Sequence, residues 1–270
     1  MSIPTALSIA GSDPSGGAGI QADLKAFSAR GVYGMAAITA LTAQNTQGVT
    51  GVHVVPAEFV HQQIRTVFDD IRVDAVKIGM IANAEIATGV AEALTDFTGA
   101  VVLDPVMVAK GGHPLLPEDA VAALRQDLLP LATVLTPNLP EAAALLGCDT
   151  AATRGEMQTQ GRELIEHGPA AVFMKGGHLE SADSPDLLIS EDTATWLEGP
   201  RIETRNTHGT GCTISSAIAA ELAKGESLAS AVRTAKHWLA GAIEGADSLA
   251  VGHGHGPTHH FHALWPVATA

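Results

Sequence analysis

Asn206-Thr207-His208-Gly209-Thr210-Gly211-Cys212 runs directly into Thr213-Ile214-Ser215-Ser216-Ala217-Ile218-Ala219-Ala220. The apolar run reads as a helix, and a strand region precedes the turn. Two glycines just before a helix let the backbone turn tightly and aim several free N–H groups at one spot. With the positive end of the helix dipole, those groups make an anion site. Cys212 sits where that dipole most lowers a thiol pKa, from a free value of about 8.5 toward neutrality. The stretch is therefore expected to hold a transferring phosphoryl group, with Cys212 beside the group that receives it. The same pattern also fits a glycine-rich loop entering a packed helix, with Cys212 as a small buried apolar residue.

Outward from this turn, short apolar runs alternate with helical patterns. Strands are expected at residues 5–10, 34–43, 75–79, 100–103, 133–135 and 171–174. A short β segment is expected at 49–55 and an edge pair at 187–189 and 195–197. Helices are expected at 21–29, 56–68, 84–94, 117–129, 140–146, 153–167, 210–224 and 228–248. Thr153 with Glu156 three residues on is a capping-box pattern. The alternation predicts an α/β fold with a mainly parallel central sheet and helices on both faces. No proline- or serine-rich linker and no repeat interrupts the chain, so one domain over residues 1–270 is expected.

Ligands of such sheets gather beyond the carboxyl ends of the strands. Those ends carry Gly11, Gln44, Met80, Asp104, Asn138 with Glu141, Lys175, and the turn at Gly209–Cys212. The loop from Gly11 to Gly19 holds four glycines but is no Walker P-loop, because Gly-Lys-Ser/Thr occurs nowhere in the chain. Gln44-Asn45-Thr46-Gln47-Gly48 reads as a polar turn, and Lys110-Gly111-Gly112-His113-Pro114 as a glycine-containing loop.

Hydrophobic residues make up 46% of the 270 and charged residues only 16%, which suits a large aliphatic core. A net charge of −14 argues against a nucleic-acid or anionic-membrane surface. Two cysteines far apart in sequence form no metal-type spacing and fit a reducing compartment. With no signal-like N-terminal pattern and no spanning-length apolar run, a cytoplasmic protein is expected.

Four stretches carry a resemblance. They are residues 11–25, Thr136-Pro137-Asn138-Leu139-Pro140-Glu141-Ala142, Met174-Lys175-Gly176-Gly177-His178, and Asn206 through Thr213. Together they resemble the hydroxymethylpyrimidine/phosphomethylpyrimidine kinases of thiamine biosynthesis, in the ribokinase superfamily, from near residue 5 to about residue 265. The resemblance implies a ribokinase-like fold with a small β flap. It implies ATP-dependent phosphorylation of 4-amino-5-hydroxymethyl-2-methylpyrimidine, and then of its monophosphate to the diphosphate. Mg²⁺, a small-molecule substrate, a cytoplasmic location and a homodimer are implied as well.

Residue by residue, the N–H groups of Gly209, Thr210 and Gly211 would cradle the phosphoryl group and Cys212 would take the hydroxymethyl proton. Most of the superfamily has aspartate at that position. Gln44, with an acceptor and a donor side by side, complements an aminopyrimidine edge. Gly11, Met80 and Val106 would line the ring. Asp23 would contact the substrate or stand as a helix-surface carboxylate. Lys175, Asn138 and Thr207 would meet ATP, although Lys175 could instead pair with a buried carboxylate. Glu141 and Asp104 would hold Mg²⁺, through water, or serve as helix-start and turn residues. The histidines from His253 to His262 form either a metal tract or a structural tail. Two alternatives stay open: a pyridoxal or pyridoxine kinase of the same superfamily, and a pyrimidine-binding module without transfer.

Overall fold

The computed structural model describes residues 2–107 and 117–265. The loop expected at residues 110–114 lies outside the described residues. In chain order the strands are β1 (Thr5–Ala10), β2 (Tyr33–Ile38), β3 (Ala40–Asn45), β4 (Gly48–Val54), β5 (Ala75–Ile78), β6 (Ala100–Leu103), β7 (Val134–Leu135), β8 (Ala171–Met174), β9 (Asp186–Ser190) and β10 (Ala194–Leu197). The helices are α1 (Gly19–Ala29), α2 (Ala57–Asp70), α3 (Ala84–Ala93), α4 (Glu118–Ala123), α5 (Leu139–Leu146), α6 (Arg154–Ile165), α7 (Thr210–Ala223) and α8 (Leu228–Glu244).

Among the described residues, eight strands form one sheet in the order β10-β9-β8-β7-β6-β5-β1-β2. The pairs from β2 to β8 are parallel, and β9 and β10 add an antiparallel edge. The period-2 alternation of each strand separates two cores. Leu7, Ile9, Val76 and Ile78 pack with α2, α3, α5 and α6. Ala6, Val102, Val134 and Phe173 face α1, α7 and α8. Ser8 and Lys77 lie opposite each other in the β1–β5 register, so both point toward the α1/α7 layer. From β1 the chain steps outward to β2, then returns to β5 on the other side. That reversal opens a crevice beyond the ends of β1 and β5.

Two expectations need correction. The strand read over residues 34–43 is two strands in different sheets. Thr39 separates them: its N–H donates to the Ala10 carbonyl at 3.0 Å and its hydroxyl to the Met80 carbonyl at 2.6 Å. After that anchor the chain leaves the main sheet, and β3 pairs only with β4 as a flap. Gln44 and Asn45 therefore belong to a flap strand rather than a polar turn. The helix read over 117–129 begins as α4, widens to a π turn at Leu124–Leu128 and ends in a 3-10 turn at Leu129–Leu131. Pro130, which has no N–H to donate, ends the regular helix there. The capping box at Thr153 and Glu156 forms as expected.

Candidate active site

Gly209 caps α7 with φ +76°, the left-handed region that glycine adopts without strain. A side chain there would meet the Gly17 carbonyl oxygen at 1.8 Å, so the loop after β1 presses directly on the turn. The glycines of that loop thus serve close packing between two backbones as well as space for a ligand. The first N–H groups of α7 open on a cavity of about 540 Å³. Gly11, Gln44, Met80, Asp104, Val106, Asn138, Glu141, Lys175, Thr207 and the whole turn from Gly209 to Cys212 line it. The convergence expected from the strand ends is present in three dimensions.

A second cavity of about 870 Å³ lies on the other side of the turn, against Arg201, Ile202, Arg205, Leu239 and Ile243. Both cavities share Asn138, Lys175, Thr207, Thr210 and Gly211. One chamber carries an amide on its wall, the other carries arginines and aliphatics, and an anion turn joins them. Beyond Asn138, Lys175 and Thr207, which the sequence reading assigned to ATP, nothing pointed to the second chamber, much of whose wall comes from an irregular stretch before Asn206 and from α8.

Lys175, at the end of β8, bonds Asp104 at 2.9 Å and lies 3.6 Å from Glu141. Burial alone would disfavour its charge, but the two carboxylates outweigh burial and raise its pKa. Asp104 is buried too, yet Lys175, then Lys77, hold its carboxyl below the usual range. Glu141 goes the other way: burial raises its pKa and the Asp104 charge adds to that. Glu141 also closes the capping box of α5 by accepting from the Asn138 N–H at 2.8 Å, while the Asn138 side chain caps the Glu141 N–H. Lys175 is thus paired with carboxylates, the alternative left open, and it still lines both chambers.

Two expectations fail here. Asp23 does not line the cavity. It is fully buried beneath it, holding Lys77 at 2.9 Å through both oxygens and accepting from Ser8 at 2.6 Å and Ser216 at 2.7 Å. Every lone pair is engaged inside the protein, so its place is structural. Cys212 is not lowered toward neutrality. Burial pushes its thiol up to about 11, and the Asp23 and Asp104 charges reinforce that against the opposing Lys77 charge and the Gly19 N–H.

Three residues were missed. Lys77 is hidden in an apolar run, and its only signal was a lysine within a strand read as buried. It lines the first cavity. His208 and Asp13 form a buried pair at 2.8 Å. Both stood inside quoted motifs without an assigned partner.

The histidine tail is structural in its contacts. The Asn206 side chain accepts from the Gly256 N–H at 3.0 Å, and the Thr46 carbonyl accepts from the His255 N–H at 2.9 Å. These bonds lace the flap to the anion turn. Burial lowers the His260 pKa to about 3, so its imidazole is neutral beside the Thr213 hydroxyl at 3.0 Å. Among the described residues no group of three His, Cys, Asp or Glu is placed to hold a metal ion, and no helix is long and apolar enough to cross a membrane.

Known proteins resemble this chain in sequence and fold. A hydroxymethylpyrimidine/phosphomethylpyrimidine kinase of Escherichia coli strain K12 is 55% identical over 261 residues, 96% of this chain and 98% of its own. A phosphomethylpyrimidine kinase structure from Clostridium difficile matches with a TM-score of 0.79 and 42% identity, over 90% of this chain and all of that one. A pyridoxal kinase from Staphylococcus aureus, in complex with AMP-PCP and pyridoxal, matches with a TM-score of 0.89 and 33% identity, over 98% and 96%. The phosphomethylpyrimidine kinase pattern itself matches residues 13–259, which include most of the first glycine-rich loop, Lys175 and the anion turn. With most of its length covered by that pattern and more than half its residues shared with a full-length member, this chain belongs to the phosphomethylpyrimidine kinase family.

Proposed function

We propose that this chain, acting as one kinase domain, transfers the γ-phosphoryl group of ATP to 4-amino-5-hydroxymethyl-2-methylpyrimidine, and then phosphorylates the monophosphate to the diphosphate. The observation that carries this reading is the meeting of two chambers at Thr210 and Gly211, with Lys175 between them. In phosphoryl transfer the protein mainly positions groups and neutralises charge. The arginine-walled chamber takes the nucleotide. Gln44 reads the aminopyrimidine edge, and Gly11, Met80 and Val106 enclose the ring. The N–H groups of the turn bind the transferring phosphoryl, and Lys175, on the wall of both chambers, offsets negative charge on the group in transit. Asp104 and Glu141 suit a hard divalent ion that takes one or two carboxylates alongside phosphate oxygens and water. Bound there, Mg²⁺ would neutralise charge on the ATP phosphates.

Product analysis with ATP, Mg²⁺ and the pyrimidine alcohol tests the proposal directly: monophosphate and then diphosphate are expected. Phosphorylation of pyridoxal in preference to the aminopyrimidine would favour the alternative raised by the Staphylococcus aureus likeness. ATP consumption by neither alcohol, despite tight pyrimidine binding, would reduce the chain to a binding module.

Cys212 is a thiol at neutral pH, so it can take the hydroxymethyl proton only after its own proton has been given up to solvent. The monophosphate acceptor carries no such proton. Cys212→Ala is expected to slow the first phosphorylation about 100-fold and the second much less, measured as kcat for each substrate. Equal losses would leave Cys212 only lining the turn.

A cytoplasmic homodimer completes the proposal. Both cysteines are free, which accords with a reducing compartment. The flap and α2 leave Leu41 and Phe59 exposed, large apolar side chains that a second copy of the chain could cover. Leu41→Glu with Phe59→Glu is expected to shift the sedimentation coefficient to that of a monomer. An unshifted value would move the interface elsewhere.

A further inference from the structure

Gln44 stands on a hairpin that the main sheet does not hold. Among the described residues β3 pairs with β4 alone, and β4 is mostly exposed. A two-stranded hairpin without a packed face is marginal in water. Within the protomer its position therefore rests on its ends. At the base, Thr42 donates its N–H to the Ser12 hydroxyl at 3.1 Å and its own hydroxyl to the Ser12 carbonyl at 2.9 Å. At the tip, Thr46 accepts two bonds from the C-terminal tail. The Gly254 N–H donates to its hydroxyl at 3.2 Å and the His255 N–H to its carbonyl at 2.9 Å. Gln44 lies midway between these anchors.

The tail itself is rooted elsewhere. Gly256, Pro257, Thr258 and His260 are buried. The Gly256 carbonyl accepts from the His208 N–H at 3.0 Å, and the His259 N–H donates to the Ala242 carbonyl of α8 at 2.8 Å. Residues 252–257 thus bridge from the lead-in of the anion turn to the tip of the flap. The fit leaves no slack at Gly254. A Cβ there would collide with the Thr46 carbonyl and stand 2.9 Å from the Gln47 nitrogen, both of them backbone.

We propose that the tail from Gly252 to Pro257 is a positioning strap, with Gly254 its point of closest approach, that sets how far Gln44 stands from the anion turn. The proposal rests on the pyrimidine reading of the cavity. Gly254 touches no substrate and acts through Thr46 on Gln44. A side chain at Gly254 forces tail and tip apart. The root of the tail is buried and the hairpin is marginal, so the hairpin yields, and Gln44 moves off the edge of the ring.

The test compares wild type with Gly254→Ala, Thr46→Val and Thr46→Ser, each alone and combined with Gln44→Ala, using ATP and the pyrimidine alcohol. Gly254→Ala is expected to raise KM for the pyrimidine by about tenfold to 100-fold, the worth of a bidentate pair, with KM for ATP unmoved. Thr46→Val removes the hydroxyl acceptor and should raise the same KM by about twofold to tenfold. Thr46→Ser keeps that acceptor and should stay near wild type. Combined with Gln44→Ala, neither Gly254→Ala nor Thr46→Val should raise KM further, because their route to the ring is gone. Amide hydrogen exchange supplies a readout that needs no substrate: flap amides should exchange faster in Gly254→Ala, with β1 and β5 unchanged. Equal rises in KM with and without Gln44 overturn the proposal, as do flap amides that exchange as in wild type. Thr46→Val, at a half-buried turn, carries both measurements if Gly254→Ala fails to fold. Wild-type enzyme that phosphorylates no pyrimidine sinks the substrate reading instead, and the exchange rates then decide the strap alone.

Discussion

Lys77→Met is expected to destabilise the protein by about 3–5 kcal/mol, the cost of leaving a buried charge without its partner. Lys77 and Asp23 are both fully buried, and the ammonium bonds both carboxylate oxygens at 2.9 Å. Burial would strip the proton from an isolated lysine. Here the Asp23 charge, with that of Asp104 behind it, more than offsets burial and raises the Lys77 pKa. Without Lys77, Asp23 keeps only the Ser8 and Ser216 hydroxyls. Those two neutral donors do not balance a full charge away from water. The midpoint of urea unfolding measures the loss. Lys77→Met combined with Asp23→Leu should recover most of it, because an apolar pair of similar volume avoids the desolvation of both charges. A single variant as stable as the parent would show that Asp23 takes up a proton at little cost. The double variant also separates stability from chemistry. Lys77 reaches the cavity wall, so a stable double variant with low kcat would assign its charge to the reaction.

Gly209→Ala is expected to lower kcat by at least about 100-fold. The added Cβ would stand 1.8 Å from the Gly17 oxygen and 3.2 Å from the Ala18 Cα, and neither backbone atom can swing aside as a side chain would. Relief requires the loop and the turn to separate by more than an ångström. That displaces the N–H groups that are proposed to bind the transferring phosphoryl. The φ of +76° adds a penalty of about 1 kcal/mol for any residue with a Cβ. Steady-state kinetics on both pyrimidine acceptors provide the measurement, with circular dichroism to confirm folding. Both phosphorylations should fall together, unlike the unequal losses expected for Cys212→Ala. A Gly209→Ala variant with near-normal kcat would remove the turn from the transfer step.

Much of the site was legible because chemistry and position coincide at strand ends. Asp104, Asn138, Glu141 and Lys175 each follow or close a short apolar run, and the carboxyl ends of such runs share one edge of a parallel sheet. The flap was harder to see. Residues 34–43 are uniformly apolar or small, and nothing local marks Thr39 as the point where the chain changes sheets. Its two anchoring bonds come from Ala10 and Met80, distant in sequence. Asp23 misled for a related reason. A carboxylate on a helix is ordinarily solvated, and only the β1–β5 register puts Lys77 and Ser8 beneath it.

By itself, then, the sequence determined the α/β alternation, the glycine turn before α7 and the set of polar residues around the cavity, because periodicity and turn chemistry act over a few neighbours. Tertiary structure decided the rest. It made Cys212 a protonated thiol, since burial, with the Asp23 and Asp104 charges, outweighs the Lys77 charge and the Gly19 N–H. It placed a second chamber beside the anion turn and joined Asp13 to His208 across 195 positions of chain. Burial, field and long-range pairing are sums over atoms brought together by folding, so no local stretch carries them.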